Sequence, residues 1–218
     1  MGIEGDPPPE KSARYWQNWD KGNAARVIDD YWTASPGEAT SRSLMAAEIK
    51  AFFGPSHPLF EVGCGTGLMA KTLIEAEATT EQCYSGGDVS RSMLAIAQQR
   101  LPHVQFVDLD IFDLSSLERK PNVICLHVLQ HLPHYDGPLE QLVALATRRL
   151  YIVTWFNEGS EDEISLSRDS DAEPEFHTNV YSFPIFMKRL RSMIGERSAK
   201  ISTKHLIANA HAIAIEFA

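Results

Sequence analysis

Residues 59–68 read Leu59-Phe60-Glu61-Val62-Gly63-Cys64-Gly65-Thr66-Gly67-Leu68, a short apolar run that leads into three closely spaced glycines. The apolar run predicts a buried strand, and residues 68–78 predict a helix directly after the turn. Glycines in such a turn let the backbone approach a ligand closely, and the start of the helix presents free N–H groups to it. A glycine-rich turn alone does not name that ligand.

Strands and helices alternate along the chain beyond this turn. Strands separated by helical segments indicate βαβ units and a parallel sheet. The predicted strands are 59–62, 83–88, 104–107, 123–127 and 150–155, the predicted helices are 68–78, Ser90 (as N-cap) to 101, 139–147 and 184–194, and residues 198–217 are predicted to form two more strands.

Three further segments have a different character. Residues 1–12 contain a triple proline and are predicted to be a disordered leader. Residues 13–53 are predicted to be a helical cap on a single domain that spans 13–218. Residues 157–183 are predicted to be an acidic insertion, because 157–175 carry eight carboxylates against one arginine. This insertion is expected to act as a mobile lid or, alternatively, as a solvated loop.

Composition limits the function classes. The chain has 44% apolar and 22% charged residues, which is typical of a globular protein, and its net charge of −9 argues against a nucleic-acid-binding surface. No window approaches the ~20 apolar residues of a membrane helix. Three scattered cysteines and an N-terminus without an apolar signal region predict a reducing, cytoplasmic location. The oligomeric state stays open.

The spacing of the glycines separates two cofactor classes. A dinucleotide-binding turn would place its third glycine at position 68, where this chain has Leu68 after Gly63-x-Gly65-x-Gly67. The segment Glu61-Val62-Gly63-Cys64-Gly65-Thr66-Gly67 instead resembles the first motif of class I S-adenosylmethionine-dependent methyltransferases. Residues 87–94, 108–114 and 123–132 resemble the family's next three motifs, in order. The resemblance implies a Rossmann-like, doubly wound α/β fold whose mostly parallel seven-stranded sheet has an antiparallel C-terminal strand.

The resemblance also implies S-adenosylmethionine as cofactor and S-adenosylhomocysteine as product. In this family the glycine loop holds the methionine moiety and acidic residues hold the ribose and adenine. The implied contacts are Asp88 to the ribose, Val89, Met93, Asp110 and Ile111 to the adenine, Glu61, Gly63, Gly65 and His127 to the methionine moiety, and Arg42 or Tyr15 to its carboxylate. Cys64 belongs to the cofactor-binding loop, where it is interpreted as inert filler. Asp108 and Asp113 are alternatives to Asp110.

Three histidines follow the fourth predicted strand. His127, His131 and His134 have the spacing of metal ligands on a helix, but His127 ends a strand and Pro133 interrupts the segment, so no metal site is predicted. His131 is the candidate catalytic base, with His134 as an alternative, because imidazole titrates near neutrality. The competing interpretation is that these histidines only fill the loop.

The methyl acceptor is predicted to be a small molecule. Residues 127–130 lack the Asn/Asp-Pro-Pro-Tyr-type motif of enzymes that methylate nucleic-acid bases. Phe176, His177, Tyr181 and Phe183 either form an aromatic wall of the acceptor pocket or pack within the protein. The predicted reaction is in-line methyl transfer; the alternatives are an inactive cofactor-binding regulatory protein and an NAD-dependent oxidoreductase.

Overall fold

A computed structural model describes residues 17–55, 57–167 and 176–218. Tyr15 and the predicted leader lie outside the described residues. The helices are α1 (Gln17–Asp20), α2 (Ala24–Ala34), α3 (Pro36–Phe53), α4 (Leu68–Glu75), α5 (Arg91–Arg100), α6 (Asp136–Leu145) and α7 (Phe183–Ile194). The strands are β1 (Leu59–Val62), β2 (Tyr84–Asp88), β3 (Gln105–Asp108), β4 (Lys120–Leu126), β5 (Ala146–Asn157), β6 (Leu166–Ser167), β7 (Phe176–His177), β8 (Tyr181–Ser182), β9 (Ala199–Ile207) and β10 (Ala210–Phe217).

The main sheet has the strand order β3-β2-β1-β4-β5-β10-β9, and β8 pairs with the end of β5. Strands β1 to β5 pair in parallel, while β10 is antiparallel to both β5 and β9. The predicted Rossmann-like, mostly parallel sheet with an antiparallel C-terminal strand is therefore confirmed. The order reverses between β1 and β4, which is where an open parallel sheet leaves a crevice for a ligand.

Alternate residues of the central strands supply two separate cores. On β1, Phe60 and Val62 belong to one apolar cluster and Leu59 to the other, as the two-residue period of a strand requires. The first cluster takes Leu139 of α6, and the second takes Ile49 of α3. Helices therefore cover both faces, and the apolar runs read from the sequence correspond to strands buried on both sides.

Several predicted boundaries were wrong because strand pairing or backbone conformation overrides local propensity. The helix predicted over 139–147 ends at Leu145, since Ala146 is already extended and pairs with Lys120 of β4. Strand β5 is correspondingly longer than predicted. The helix after the glycine turn ends at Glu75 rather than at 78, and Glu77 has a positive φ of 55° that a helix does not permit.

The described flanks of the acidic insertion are anchored by hydrogen bonds. Strands β6 and β7 form a two-stranded antiparallel sheet, and Glu163 and Val180 form an isolated bridge beside it. The backbone N–H of Ser182 donates to the Asp162 carboxylate at 2.7 Å. The role of the insertion as a lid stays a prediction. None of the helices in the described residues is long and apolar enough to cross a membrane.

Candidate active site at the carboxyl ends of the central strands

The glycine turn is fixed against the neighbouring strands. Gly63 has a φ of 79°, and its N–H donates to the carbonyl of Gly87 at 2.8 Å. The N–H of Cys64 donates to the same carbonyl at 3.0 Å. Glycine is required at position 63 because a Cβ there would overlap Cγ2 of Val128, just past the end of β4. The turn is therefore held tightly beneath the exit of β4.

The Asp88 carboxylate joins the glycine turn to the start of α5. Its two oxygens accept hydrogen bonds from the N–H of Gly65 at 2.8 Å and the N–H of Ser90 at 2.9 Å. Burial raises the pKa of Asp88, and the backbone N–H donors oppose that rise. Each carboxylate oxygen keeps a second lone pair, so the group can still accept from a diol. Asp88 also lines the cleft described next.

An apolar slot opens beside Asp88. Val89, Met93, Leu109 and Ile111 line it, as the sequence predicted for Val89, Met93 and Ile111. Asp110 lies between Leu109 and Ile111, and its carboxylate accepts from the N–H of Phe112 at 2.9 Å within its own turn. The lining of the slot is mostly apolar, which suits an aromatic base.

The two alternatives to Asp110 are engaged elsewhere. Asp108 pairs with Arg91 at 2.8 Å, and Asp113 accepts from the Ser115 hydroxyl at 2.5 Å. None of the three carboxylates lines the slot, but Asp110 lies between two residues that do, Leu109 and Ile111.

Glu61 is a carboxylate buried at the end of β1. Its side chain is 2% exposed and accepts a hydrogen bond from the Tyr84 hydroxyl. Burial raises the pKa of Glu61 to about 7, with the Asp88 charge adding to the rise and the Tyr84 hydrogen bond opposing it. Within the described residues, Thr66 nearby has a buried hydroxyl oxygen without a hydrogen-bond partner. A buried carboxylate with a raised pKa is suited to receive a cationic group.

A larger cleft of about 780 Å³ continues from the slot beneath the N-terminal helices. Arg42 lines it and donates to the carbonyl of Trp32 at 3.1 Å, while burial lowers the pKa of this guanidinium. Trp19, Trp155 and Phe176 also line it. This volume is sufficient for a cofactor tail together with a small second ligand.

The N-terminal helices are attached to the cofactor side of the sheet by two carboxylates that sequence analysis missed. Asp20 accepts from the Ser90 hydroxyl at 2.7 Å and from the N–H of Ser92 at 3.0 Å, so it caps α5 from a distant part of the chain. Asp29 accepts two hydrogen bonds from Arg100, at 2.8 and 2.9 Å. These contacts hold the N-terminal helices, with Trp19 and Trp32, over the slot.

His127 follows β4 directly and has an unusual backbone and a defined ring partner. Its φ is 55°, and its N–H donates to the carbonyl of Val153 at 2.8 Å. Its Nδ1 lies 3.1 Å from Nε2 of Gln130, whose Oε1 accepts from the Thr154 hydroxyl at 2.9 Å. Burial, and secondarily the neighbouring His131, lower the pKa of His127 to about 4. The ring is therefore neutral at pH 7.

His131 ends the short 3₁₀ turn Leu129–His131 and also lines the cleft. Its Nδ1 lies 2.7 Å from the carbonyl oxygen of His177 in β7. Trp19 and Trp155 contact its ring edge-on, with centroids 5.7 and 5.9 Å away. Burial lowers the pKa of His131, while the His177 carbonyl opposes that shift.

His134 instead packs against Phe112, with ring centroids 5.1 Å apart. In the described residues no group of three or more His, Cys, Asp or Glu side chains is arranged to hold a metal ion.

The predicted aromatic wall is mostly absent from the cleft. Tyr181 is fully buried and packs edge-on against Tyr135, and Phe183 packs against Phe156. These two side chains complete the core between α7 and β5, so only Phe176 of the predicted wall lines the cleft. Trp155, which sequence analysis did not assign, takes their place.

Most of the residues predicted from sequence come together along one connected cleft. The ones that line it are Arg42, Glu61, Gly63, Cys64, Gly65, Asp88, Val89, Met93, Ile111, His127 and His131. Cys64 is a buried thiol whose pKa is raised well above its ordinary value by burial. Of the residues that sequence analysis missed, only Gln130 could have been found from the sequence, because it lies between the candidate site residues His127 and His131.

Comparison with known proteins finds a methyltransferase family model and a methyltransferase relative. A family model described as "Methyltransferase domain" matches residues 60–149. The trans-aconitate 2-methyltransferase of Methylobacterium nodulans is 32% identical over 158 residues, which are 71% of this chain and 60% of the relative. The chain therefore spans less than two thirds of that relative's length.

Two solved structures share the fold over nearly the whole chain. The structure titled DhpI-SAM-HEP complex aligns with a TM-score of 0.69 at 18% identity, over 99% of this chain and all of the other. The Burkholderia thailandensis 1,6-didemethyltoxoflavin-N1-methyltransferase, solved with 1,6-didemethyltoxoflavin and S-adenosylhomocysteine, aligns with a TM-score of 0.65 at 18% identity, over 100% and 92%.

The cleft fits S-adenosylmethionine in its own right. The apolar slot suits adenine, the second lone pairs of Asp88 suit a diol, and buried Glu61 suits an ammonium group. A Cβ at Gly65 would lie 3.7 Å from Sδ of Met93 and 3.8 Å from the Trp32 ring, so the glycine keeps this part of the cleft clear for a ligand. Together with the methyltransferase-domain model that matches residues 60–149, this fit indicates a class I S-adenosylmethionine-dependent methyltransferase.

Proposed function

We propose that the protein transfers a methyl group from S-adenosylmethionine to a small-molecule acceptor, with His131 as the general base. The observation that carries the role of His131 is its hydrogen bond to the His177 carbonyl. A carbonyl oxygen can only accept, so Nδ1 of the neutral ring carries the proton and Nε2 keeps its lone pair. Nε2 is then the nitrogen available to take a proton from an acceptor in the cleft.

The cofactor contacts follow from the lining of the cleft. Asp88 binds the ribose hydroxyls, and Val89 and Met93 pack on the adenine. Asp110 accepts from the adenine amino group, and the Ile111 backbone meets the ring edge. The turn at Gly63 and Gly65 holds the methionine moiety. Glu61 receives its amino group, and Arg42, with Tyr15 as a further candidate, receives its carboxylate. His127, which sequence analysis also assigned to this moiety, is taken up below. Apart from Asp110 and Tyr15, these assignments are supported by the lining of the cleft.

Bound S-adenosylmethionine supplies a methyl group on a positively charged sulfur, which an acceptor atom takes by in-line displacement. No covalent enzyme intermediate is needed, so positioning supplies much of the rate enhancement. Trp19, Trp155 and Phe176 exclude water around His131 and hold a flat acceptor beside it. Because burial lowers the pKa of His131, the ring is unprotonated and ready to accept at neutral pH.

The relatives support a small acceptor. The trans-aconitate and 1,6-didemethyltoxoflavin enzymes are each named for a small organic molecule. The net charge of −9 also favours a small molecule over a nucleic acid. The acceptor of this chain is taken up below from its own residues.

Two measurements test the proposal. S-adenosylhomocysteine at a hundredfold excess over its Kd should stabilise the fold by about 2.7 kcal/mol, whereas NAD should not. With radiolabelled S-adenosylmethionine and a panel of small phenols, ring amides, amines and thiols, the protein should label at least one acceptor. Stabilisation by NAD alone would indicate an oxidoreductase, and cofactor binding without labelling of any compound would indicate a regulatory protein.

A matched pair of variants tests the base. His131→Ala should lower kcat by about 10²–10⁴-fold, the usual contribution of a general base, and leave the affinity for S-adenosylhomocysteine nearly unchanged. His134→Ala is the control, because its ring contacts Phe112 away from the cleft. Equal effects of the two substitutions would remove His131 from catalysis.

A further inference from the structure

Two buried residues form a hydrogen-bonded relay to His127. The Thr154 hydroxyl donates to Oε1 of Gln130 at 2.9 Å, and the other end of the same amide lies 3.1 Å from Nδ1 of His127. Both Thr154 and Gln130 are fully buried. Because Oε1 is the end that accepts from Thr154, the Gln130 NH₂ group faces His127 and donates to it. Nδ1 must then be the unprotonated nitrogen, and Nε2 carries the proton.

His131 has the opposite arrangement. Its Nδ1 donates to the His177 carbonyl, so its Nε2 has a lone pair. Both rings line the same cleft, and both contact Trp155 edge-on, with centroids 6.4 and 5.9 Å away. The cleft therefore presents one N–H donor and one nitrogen acceptor on two neutral rings, and each ring is set by a different partner.

We infer that Gln130 and Thr154 are positioning residues that fix His127 as a donor beside the accepting nitrogen of His131. The methyl acceptor is then an uncharged, planar molecule with an O–H or N–H group next to a carbonyl or imine lone pair. A ring lactam and an enol conjugated to a carbonyl are members of this class. The inference rests on the proposed function for the identity of the reaction.

The chemistry of such an acceptor balances at this site. Its O–H or N–H proton passes to Nε2 of His131, and the freed electron pair forms the bond to the methyl carbon. The carbon–sulfur bonding pair returns to sulfur, which neutralises the sulfonium. Nε2–H of His127 meanwhile donates to the neighbouring carbonyl oxygen, where negative charge collects as the proton leaves. His131 afterwards releases its proton to solvent.

The surroundings favour an uncharged acceptor over an anion. Trp19, Trp155 and Phe176 give this end of the cleft apolar walls, and burying a charge among such walls is costly unless it is paired. A carboxylate would also face the lone pair of His131 with a lone pair of its own. A neutral molecule with one donor and one acceptor satisfies both histidines.

Nitrogen-15 NMR of histidine-labelled protein tests the relay without any turnover. At pH 7, we expect His127 to be protonated at Nε2 and His131 at Nδ1, with neither ring charged. Thr154→Val, which keeps the side-chain shape and loses the hydroxyl, should leave His127 as a mixture of the two tautomers. Thr154→Ser is the control and should keep the wild-type tautomer. A wild-type His127 protonated at Nδ1, or a Thr154→Val spectrum identical to wild type, would overturn the relay.

A second variant reverses the relay. Gln130→Glu places an acceptor against Nδ1 of His127, so this nitrogen should become protonated while the His131 signals move little. If Gln130→Glu does not fold, the comparison of Thr154→Val with Thr154→Ser still tests the relay. A folded Gln130→Glu protein with an unprotonated Nδ1 would contradict the inferred contact.

Fragment binding to the protein with S-adenosylhomocysteine tests the acceptor class. 2-Pyridone, which has an N–H next to a carbonyl, should shift the ring-nitrogen signals of both histidines. N-methyl-2-pyridone should bind at least about tenfold more weakly, because it leaves the His131 lone pair without a donor. Tighter binding of benzoate than of 2-pyridone, or an unmoved His131 signal, would overturn the acceptor class. Failure of S-adenosylhomocysteine itself to bind would contradict the proposed function and leave the tautomer measurements standing.

Discussion

Gly63→Ala probes the turn on which the whole site is built. At this position φ is 79°, and an added Cβ would overlap Cγ2 of Val128 and lie 3.2 Å from its Cγ1. A left-handed conformation costs an L-residue about 1–2 kcal/mol, and forcing an extra methyl group into a packed site costs about 1–3 kcal/mol. We therefore expect the free energy of unfolding to fall by about 2–5 kcal/mol, the sum of the two costs.

Two other glycines separate the two costs. Gly22 has a φ of 54° but no atom within 4 Å of an added Cβ, so Gly22→Ala should lose only the conformational part, about 1–2 kcal/mol. Gly37 lies in α3, with φ outside the left-handed region and the nearest atom 3.8 Å away. Gly37→Ala should stabilise the protein by about 0.4–1 kcal/mol, because it restricts the unfolded chain.

Urea denaturation of the three variants without ligand measures the series directly. A double-mutant cycle with Val128→Ala then isolates the overlap, since the smaller side chain makes room for the methyl group added at position 63 and leaves the φ cost. The coupling energy should be favourable by about 1–3 kcal/mol. Gly63→Ala costing no more than Gly22→Ala, or a coupling energy near zero, would refute the argument that Val128 sets the requirement for glycine.

Three further results are expected of the cofactor side and the insertion. Asp88→Ala should weaken S-adenosylhomocysteine binding by about 2–4 kcal/mol, or tens- to several-hundred-fold by calorimetry, because two charge-assisted hydrogen bonds are lost. If the Asp88→Ala variant bound S-adenosylhomocysteine as tightly as the wild type, the ribose contact would be excluded. Between pH 4.5 and about 7 the folded protein keeps the Glu61 proton, whereas the unfolded chain releases it above its ordinary pKa of 4.5. The free energy of unfolding should therefore fall by roughly 3 kcal/mol as the pH rises through this range. Glu61→Gln should remove that fall, and an unchanged pH slope in this variant would contradict the prediction. Hydrogen exchange over 157–183 should slow only when S-adenosylhomocysteine and an acceptor are both bound, whereas exchange that neither ligand changes would identify a solvated loop instead of a lid.

The cofactor side of the site could be predicted because its determinants are local in sequence. A turn that needs positive φ at 63, 65 and 67 leaves only glycine at those positions, and its spacing is visible without any tertiary information. The strands around it are buried on both faces, so they appear as short apolar runs. Asp88 was assigned instead from the resemblance of residues 87–94 to a family motif, because its own strand, Tyr84–Asp88, is not an apolar run.

The contacts missed by sequence analysis join residues far apart in the chain. Asp20 caps a helix that begins 71 residues later, at Arg91, and nothing around Asp20 signals that partner. Thr154 lies inside a continuous apolar strand, where its hydroxyl has no visible role until Gln130 is placed against it. The helix predicted through 147 ended early because Ala146 pairs with Lys120, which is again a tertiary contact. Local patterns carry no information on such pairings.

Hydrogen bonds connect the acidic insertion to the 3₁₀ turn Leu129–His131 and the residue after it, so the insertion can influence which acceptor the cleft takes. The N–H of Asn179 donates to the Gln130 carbonyl at 2.9 Å, its side-chain NH₂ donates to the Leu132 carbonyl at 2.8 Å, and its Oδ1 accepts from the N–H of Ser165 at 3.0 Å. The carbonyl of His177, two residues earlier, orients His131. A changed insertion would therefore reset the proton position on His131, while the glycine turn, held by β1, β2 and α5, would stay in place. Acceptor specificity can vary in this architecture without loss of cofactor binding, because the two halves of the cleft are fixed by different parts of the chain.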